Sequence, residues 1–315
     1  MESPHGVRSS QDGDSLRTGT YSPVFMFHEC HPDELELSSV SSFSSITSSS
    51  SSFSENSELS SGPVVIDMGT RSCRAGFSGH RSPSAEVSTL VGYQMGSEEA
   101  RPEVVIGEEV FLYPDSETME VMHNGLIINW EAAESLWKHL LEHELQVNPE
   151  DHPLLLTEPP FSPTCSREII AEIAFEVLGT PGLFVAPQSV LSVYTHGKIS
   201  ALVLDMGHAA TRAVPVLEGR SIAYSSKQTG VAGHCLTWYL STLLEDMGHT
   251  LGEGMSHVGL EKRLCHELQS HLPSGTMVEV VGSALRRHAA WTGGSILASL
   301  HNFQSCWIRQ DEYYE

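Results

Sequence analysis

The sequence predicts an α/β fold with a largely buried sheet, because short β-branched runs alternate with segments whose apolar residues recur at helical spacing. A repeat supports the same prediction. "VVIDMGTRSCRAGF", beginning at Val64, and "LVLDMGHAATRAVP", beginning at Leu202, each place Asp-Met-Gly after an aliphatic run, and in each four residues separate this tripeptide from Arg-Ala. We expect two strand–turn–strand elements, one in each half of the folded body.

The first 62 residues differ in composition from the rest of the chain. From Ser38 to Ser61 most residues are serine, and such a segment cannot bury enough apolar surface to offset its loss of chain entropy. We expect residues 1–62 to form a disordered tail, residues 63–195 a first lobe and residues 196–315 a second lobe.

In the first lobe, strands are predicted at Val64–Asp67, at 73–77 and within Pro102–Val110. Asn129 caps a helix, and "HPLLLTEPP" (His152–Pro160) is a buried strand stopped by two prolines. The apolar face of the capped helix comprises Ala133, Leu136, Trp137, Leu140, Leu141 and Leu145.

A second helix then ends at Gly179, and a buried strand and a short helix follow at 182–187 and Gln188–Gly197. The apolar residues of that second helix are Ile169, Ile170, Ile173, Val177 and Leu178.

Beyond the second repeat, a helix closed by Gly248 carries Leu236, Tyr239, Leu240, Leu243 and Leu244. A short strand is predicted at Met277–Val281. We expect Gly293, Gly294 and Ser295 to form the closely packed start of a final helix.

Charge and composition exclude several classes of function. The net charge of −23 argues against binding to nucleic acid or to an anionic membrane. The opening "MESPHGVRSS" has no apolar core, and no stretch is long enough to span a bilayer. The six cysteines lack CxxC spacing, so the sequence favours neither a zinc site nor a disulfide framework. We therefore expect a cytoplasmic location.

The two Asp-Met-Gly bends suggest a chemical role. Glycine in a tight turn lets backbone N–H groups approach an anion, and an aspartate can hold a hydrated divalent cation. Two such bends facing one another would clamp a polyphosphate. The alternative is that Asp67 and Asp205 act only as turn formers.

Three further stretches carry a family resemblance. "INWEAAESLWKHLLEHELQVNPEDHPLLLTEPP", "GTPGLFVAPQSVLSVYTHGK" and "WTGGSILASLHNFQSCWIRQDEYYE" resemble actin along most of their length. The resemblance runs from about residue 63 to the C-terminus and implies the duplicated actin/Hsp70/sugar-kinase fold, with ATP and a divalent cation between two lobes. The serine-rich head resembles divergent actin-like proteins, many of them tied to male germ cells.

The resemblance assigns phosphate-loop roles in the first repeat. Asp67 and Gly69 keep the family pattern, Thr70 keeps the hydroxyl of a serine, and Arg74 stands where the family has a phosphate-contacting lysine. Asp67 would also hold the metal through water. Arg71 replaces a small glycine, so its side chain would either reach a phosphate or fill the space that a phosphate needs.

The second repeat departs further from the family. Asp205 and Gly207 remain as cofactor-binding candidates, with Asp205 also facing the metal through water. His208 stands where the family has an aspartate, which should weaken Mg²⁺ binding because hard cations prefer oxygen ligands. Arg212 replaces the histidine that orders the attacking water, and Gln188 matches the glutamine that contacts the same water and is our catalytic candidate.

The chain also lacks a piece of the family's second lobe. The sequence after "LLEDMGHT" passes almost at once to the far side of that lobe, and the loop after Leu90–Gly92, which grips the next filament subunit in the family, is shortened. Gly252 and Gly254 remain as candidates for the adenosine-binding turn, with Glu253 between them. We expect the truncation to leave apolar surface exposed.

Two functions follow from the resemblance. We expect a divergent actin-like cytoskeletal or interaction protein that does not polymerise, binds ATP and Mg²⁺ weakly or not at all, and takes no other cofactor. The alternative is an ATP-binding protein that hydrolyses ATP slowly and joins filaments or an actin-related complex. Expected partners are proteins, including actin and actin-associated proteins, at the cytoskeleton or in the nucleus.

Overall fold

The computed structural model describes residues 62–94, 103–114, 116–247, 260–282 and 286–314. The predicted tail, the helix end at Gly248 and the candidate residues Gly252 and Gly254 lie outside these ranges.

The described strands follow the predicted order closely. In chain order they are β1 (Val64–Met68), β2 (Ser72–Phe77), β3 (Ala85–Ser88), β4 (Leu90–Gln94), β5 (Glu103–Ile106), β6 (Glu117–Glu120), β7 (Met122–His123), β8 (Leu126–Ile127), β9 (Leu154–Glu158), β10 (Gly182–Pro187), β11 (Ala201–Met206), β12 (Thr211–Leu217), β13 (Arg220–Ser221), β14 (Lys227–Thr229) and β15 (Ile308–Arg309).

The α-helices are α1 (Trp130–Lys138), α2 (Thr164–Glu172), α3 (Gln188–Tyr194), α4 (Gly233–Asp246), α5 (Leu260–His271), α6 (Ala289–Ala298) and α7 (Gln310–Tyr314). The side chain of Asn129 accepts a hydrogen bond from the backbone N–H of Ala132, so the predicted cap of α1 is confirmed. None of the described helices is both long and apolar enough to cross a bilayer.

The central sheet has six strands in the order β15-β10-β9-β1-β2-β3. β1, β9 and β10 run parallel, whereas β2, β3 and β15 join antiparallel. The aliphatic run of β1 is buried along its whole length, because side chains on both faces of the sheet meet the core. One face packs against α1 and α2, and the other against α3 and α6.

The final helix and strand return to this first sheet. Trp291 on α6 is fully buried and donates a hydrogen bond to the carbonyl oxygen of Val65 on β1 at 3.0 Å. Gly293 and Gly294 lie in the interior of α6, not at its start, and the close packing expected of them is present. A Cβ on Gly293 would run into the carbonyl oxygen of Leu191 on α3.

The second sheet is smaller and less well covered. It consists of β11, β12 and β13 in that order, with β14 paired to β12. α4 forms as predicted, yet none of its residues is buried, and Trp238 is 66% exposed. The predicted strand at Met277–Val281 is wrong: these residues adopt no strand and pair with none of the described strands. The expected apolar exposure is therefore present in the described part of this lobe.

Candidate functional site

The twin bends predicted from the repeat are confirmed as antiparallel hairpins. β1 pairs with β2 so that Asp67 lies opposite Arg74, and β11 pairs with β12 so that Asp205 lies opposite Arg212. The seven-residue spacing in the sequence thus becomes a direct cross-strand pair of opposite charges in each hairpin.

The first bend surrounds the Asp67 carboxylate with donors from its own chain. Oδ1 accepts hydrogen bonds from the hydroxyl of Thr157 at 2.7 Å and from Nε2 of Gln188 at 3.1 Å. Oδ2 is 3.4 Å from Nη1 of Arg74, whose other amino group donates to the hydroxyl of Ser72. Because only 5% of Asp67 is exposed, these bonds compensate the burial of its charge.

Gln188 begins α3 directly after β10, and this position directs its amide toward the first bend. Nε2 also donates to the carbonyl oxygen of Met68 and to the hydroxyl oxygen of Thr157, both at 3.2 Å. The side chain predicted to orient a water is therefore engaged with the bend itself.

The backbone N–H groups of the two turn glycines also form hydrogen bonds within their turns. The N–H of Gly69 donates to the carbonyl oxygen of Ser72 at 3.1 Å, and the N–H of Gly207 donates to that of Ala210 at 3.0 Å. A Cβ on Gly69 would lie 2.9 Å from the same Ser72 oxygen, which explains the need for glycine there. Thr70, at the tip of the first turn, is partly buried.

The second bend is organised around a buried guanidinium. Arg212 is 5% exposed, and its Nε donates to Oε1 of Gln228 on β14 at 2.8 Å. Its Nη2 donates to the carbonyl oxygen of Asn124 at 2.9 Å, in the turn between β7 and β8. Nη1 is 3.7 Å from the Asp205 carboxylate. Burial lowers the pKa of Arg212 from its ordinary value, and the charge of Asp205 acts in the opposite direction.

The turn that receives Arg212 has the geometry of a tight hairpin. Asn124 and Gly125 both have positive φ values, of 49° and 83°. Asn-Gly is the dipeptide that favours such two-residue turns. A side chain at Gly125 would collide with the guanidinium of Arg212, so this glycine gives the guanidinium access to the backbone.

The two bends are close enough to influence one another electrostatically. Desolvation raises the pKa of Asp205, Arg212 lowers it, and repulsion from Asp67 raises it further. Solvent still reaches 45% of the Asp205 side chain, which moderates the desolvation. Burial lowers the pKa of His208, and the charges of Arg71 and His234 lower it further. The charge of the first bend therefore acts on the carboxylate of the second.

This arrangement does not fit a magnesium ion well. The Asp67 carboxylate is occupied by three donors, Asp205 is balanced by Arg212, and His208 presents an imidazole instead of an oxygen ligand. Within the described ranges, no group of three or more His, Cys, Asp or Glu side chains could hold a metal ion. The Gly69 and Gly207 N–H groups are also bonded within their turns, which leaves neither of these donors for a phosphate.

Sequence reasoning missed three residues that contact the two bends. Thr157 interrupts the aliphatic run of β9 and gives its hydroxyl to Asp67. Oxygen atoms of Asn124 and Gln228 accept hydrogen bonds from the guanidinium of Arg212. A threonine within "LLLTE" and an Asn-Gly pair at residues 124–125 were the available signals.

Comparisons with known proteins cover nearly the whole described body. The family model described as Actin matches residues 58–252 and 250–315, two stretches that overlap at residues 250–252. Actin-like protein 9 of Homo sapiens is 32% identical over 357 residues, with 81% of this chain and 86% of that protein covered. Actin-like protein 7A of Mus musculus is 28% identical, with 80% of each chain covered.

The aligned region of the human relative is longer than the part of this chain that it matches. The alignment with the human protein runs over 357 residues but uses 81% of this 315-residue chain. About 100 positions of that relative therefore have no counterpart here.

Proposed function

The chain belongs to the actin family, and we propose that it acts as a non-polymerising actin-like interaction protein whose crevice binds ATP weakly or not at all. The main support for this proposal is that the Asp67 carboxylate already accepts hydrogen bonds from Thr157 and Gln188 and pairs with Arg74. A hydrated cation would have to displace at least one of these donors, and that exchange opposes binding.

The second bend supports the same proposal. Arg212 carries a fixed positive charge beside Asp205, and His208 adds an imidazole instead of a third carboxylate. We further propose that the positions absent relative to the human protein lie where the two matched stretches overlap, near residues 250–252. Their loss would remove one wall of a nucleotide pocket in the second lobe.

The partners that we propose are proteins, with actin and actin-associated proteins as the first candidates, in the cytoplasm or nucleus. Members of this family engage other proteins, and the strongly acidic body does not favour nucleic acid. Filament formation is disfavoured in this proposal because the subunit-contact loop after β4 is short.

The alternative function is slow ATP hydrolysis, because several residues of the family's phosphate loops are retained. Two features support this alternative: the charge of Asp67 acts on Asp205, and Gln188 donates to the first bend. These features favour a slow ATP-hydrolysing protein in which Asp67, Gly69, Thr70, Arg74, Asp205 and Gly207 hold ATP and magnesium, with Gln188 positioning the water.

A thermal-shift titration with Mg-ATP separates the two functions. If Kd were 10 μM, 1 mM Mg-ATP would stabilise the fold by about 2.7 kcal/mol, whereas a Kd above 10 mM would contribute less than about 0.1 kcal/mol. We expect the second result for the wild-type chain. His208→Asp, which restores an oxygen ligand, serves as the matched variant.

A stabilisation near the first value in the wild-type chain would contradict the proposal and favour the ATPase. Ultracentrifugation in polymerising salt tests whether the chain forms filaments. We expect the protein to stay in the supernatant, and pelleting of most of it would show that the chain assembles.

A further inference from the structure

The outer strand of the second sheet combines a free edge with exposed apolar side chains. Among the described residues β11 pairs with β12 alone, so its other edge has no strand partner in that part of the chain. Leu202, Leu204 and Met206 alternate along β11 and are 65%, 41% and 40% exposed. We call the unpaired side of β11, together with these three side chains, the β11 edge.

The β11 edge lacks the features with which soluble proteins protect an exposed strand. The strand "ALVLDM" contains no lysine and no proline, and it has no irregular residue in its pairing with β12. Its one charged residue, Asp205, lies opposite Arg212 and belongs to the other face of the sheet. An edge of this kind is stable in solution when another extended segment covers it.

One segment of the tail has the composition of such a cover. Val24-Phe25-Met26-Phe27 is a run of four large apolar residues within a leader that is otherwise mainly polar. If this run adds to β11 as a strand, alternate side chains point to the same face. Phe25 and Phe27 would then contact the exposed side chains of the β11 edge, as cross-strand neighbours do.

The tail is long enough to reach any part of the body. Phe27 precedes Gly62, the first described residue, by 35 positions. A flexible chain of that length has a root-mean-square end-to-end distance of about 33 Å. A globular body of some 250 residues has a radius of gyration of about 18 Å.

Charge favours the second lobe over the first as the docking surface. Residues 1–61 contain 9 acidic and 2 basic residues, and residues 62–195 contain 20 and 6. Because α6 and β15 return to the first sheet, the residues around the second sheet are 196–288, and these contain 8 acidic and 8 basic residues. An acidic tail is repelled by the first lobe and meets little repulsion at the second.

We propose that Val24–Phe27 of the tail adds to the β11 edge of the same molecule as an extended strand. A tether of this length provides an effective concentration in the millimolar range. An intrinsic Kd of about 0.1 mM is therefore sufficient to keep the β11 edge covered about nine-tenths of the time.

Hydrogen exchange of the full chain tests the proposal. Phe25→Ser/Phe27→Ser removes the two apolar anchors, and Phe43→Ser/Phe53→Ser is the matched control in the serine-rich part of the same tail. We expect the β11 amides that are not bonded to β12 to exchange about tenfold faster in the first variant than in the wild type, and at the wild-type rate in the control.

Three outcomes would overturn the proposal. Equal exchange rates in all three proteins would mean that the run does not cover β11. Equal acceleration in the two variants would mean that the tail acts without the specificity of the apolar run. Protection that disappears on dilution, together with a dimer mass by light scattering, would assign the β11 edge to a second copy of the chain.

Discussion

Replacing the buried guanidinium of the second bend should loosen the contact between β12 and the turn that joins β7 to β8. Arg212 donates at 2.8 Å to Gln228 and at 2.9 Å to Asn124, and it lies 3.7 Å from Asp205. Each hydrogen bond from a charged donor contributes about 1.5–3 kcal/mol, whereas an ion pair with a half-exposed carboxylate contributes less than about 1 kcal/mol. We expect Arg212→Met to lower the free energy of unfolding by about 3 kcal/mol.

The assay is thermal unfolding combined with hydrogen exchange. A loss of that size lowers Tm by roughly 6–12 °C in a domain of about 250 residues. Exchange should accelerate in the β7–β8 hairpin, because the Asn124 carbonyl oxygen loses its donor from β12. Arg212→Lys keeps the charge but cannot present two donors in a fixed fork, so it should recover less than half of the loss.

A surface ion pair supplies the control. Arg263 on α5 is 78% exposed and pairs with Glu267 one turn away, so Arg263→Met should change stability by no more than about 0.5 kcal/mol. If Arg212→Met melts within about 2 °C of this control, or if the β7–β8 hairpin exchanges at its wild-type rate, the assigned role of Arg212 is refuted.

Two further predictions concern packing and pH. Gly293→Ala places a methyl group against the carbonyl oxygen of Leu191 and should destabilise the fold by about 1–3 kcal/mol in chemical denaturation, whereas Gly230→Ala, with open space around it, should stay within about 0.5 kcal/mol of the wild type. Equal effects would contradict the close contact of α3 and α6. Burial raises the pKa of Glu86, but the bond from Arg287 and neighbouring positive charges outweigh it, so the net pKa lies below the ordinary value. This lowered pKa contributes stability that is fully present above the unfolded pKa and is lost as pH falls through the folded pKa; wild type and Glu86→Gln should therefore differ at pH 7, and the difference should disappear once the pH is below the lowered pKa of Glu86.

The sequence was sufficient for the elements whose patterns are local. The aliphatic run of β1, the Asn129 cap and the twin Asp-Met-Gly bends all follow from neighbouring residues and form as predicted. Met277–Val281 has the composition of a strand, but strand formation depends on a distant partner that its own residues do not specify.

The candidate site could be predicted in its parts but not in its connections. Asp67 and Gln188 were identified as polar groups of one crevice, and the structure adds that they bond directly to each other. Arg212 was identified from its position in the repeat, whereas its contact with Asn124 joins residues 88 positions apart. No spacing rule in the sequence predicts a contact over that separation.

The position of α6 constrains how the protein is made. The Trp291–Val65 hydrogen bond joins residues 226 positions apart, and β15 adds to the edge of β10 later still. A nascent chain therefore cannot complete the six-stranded sheet and its helical cover until residues 289–309 have been translated. Until then, the apolar surface that α6 covers on β1 and β9 is open to aggregation, so we expect a shortened transcript that ends before residue 289 to yield insoluble product.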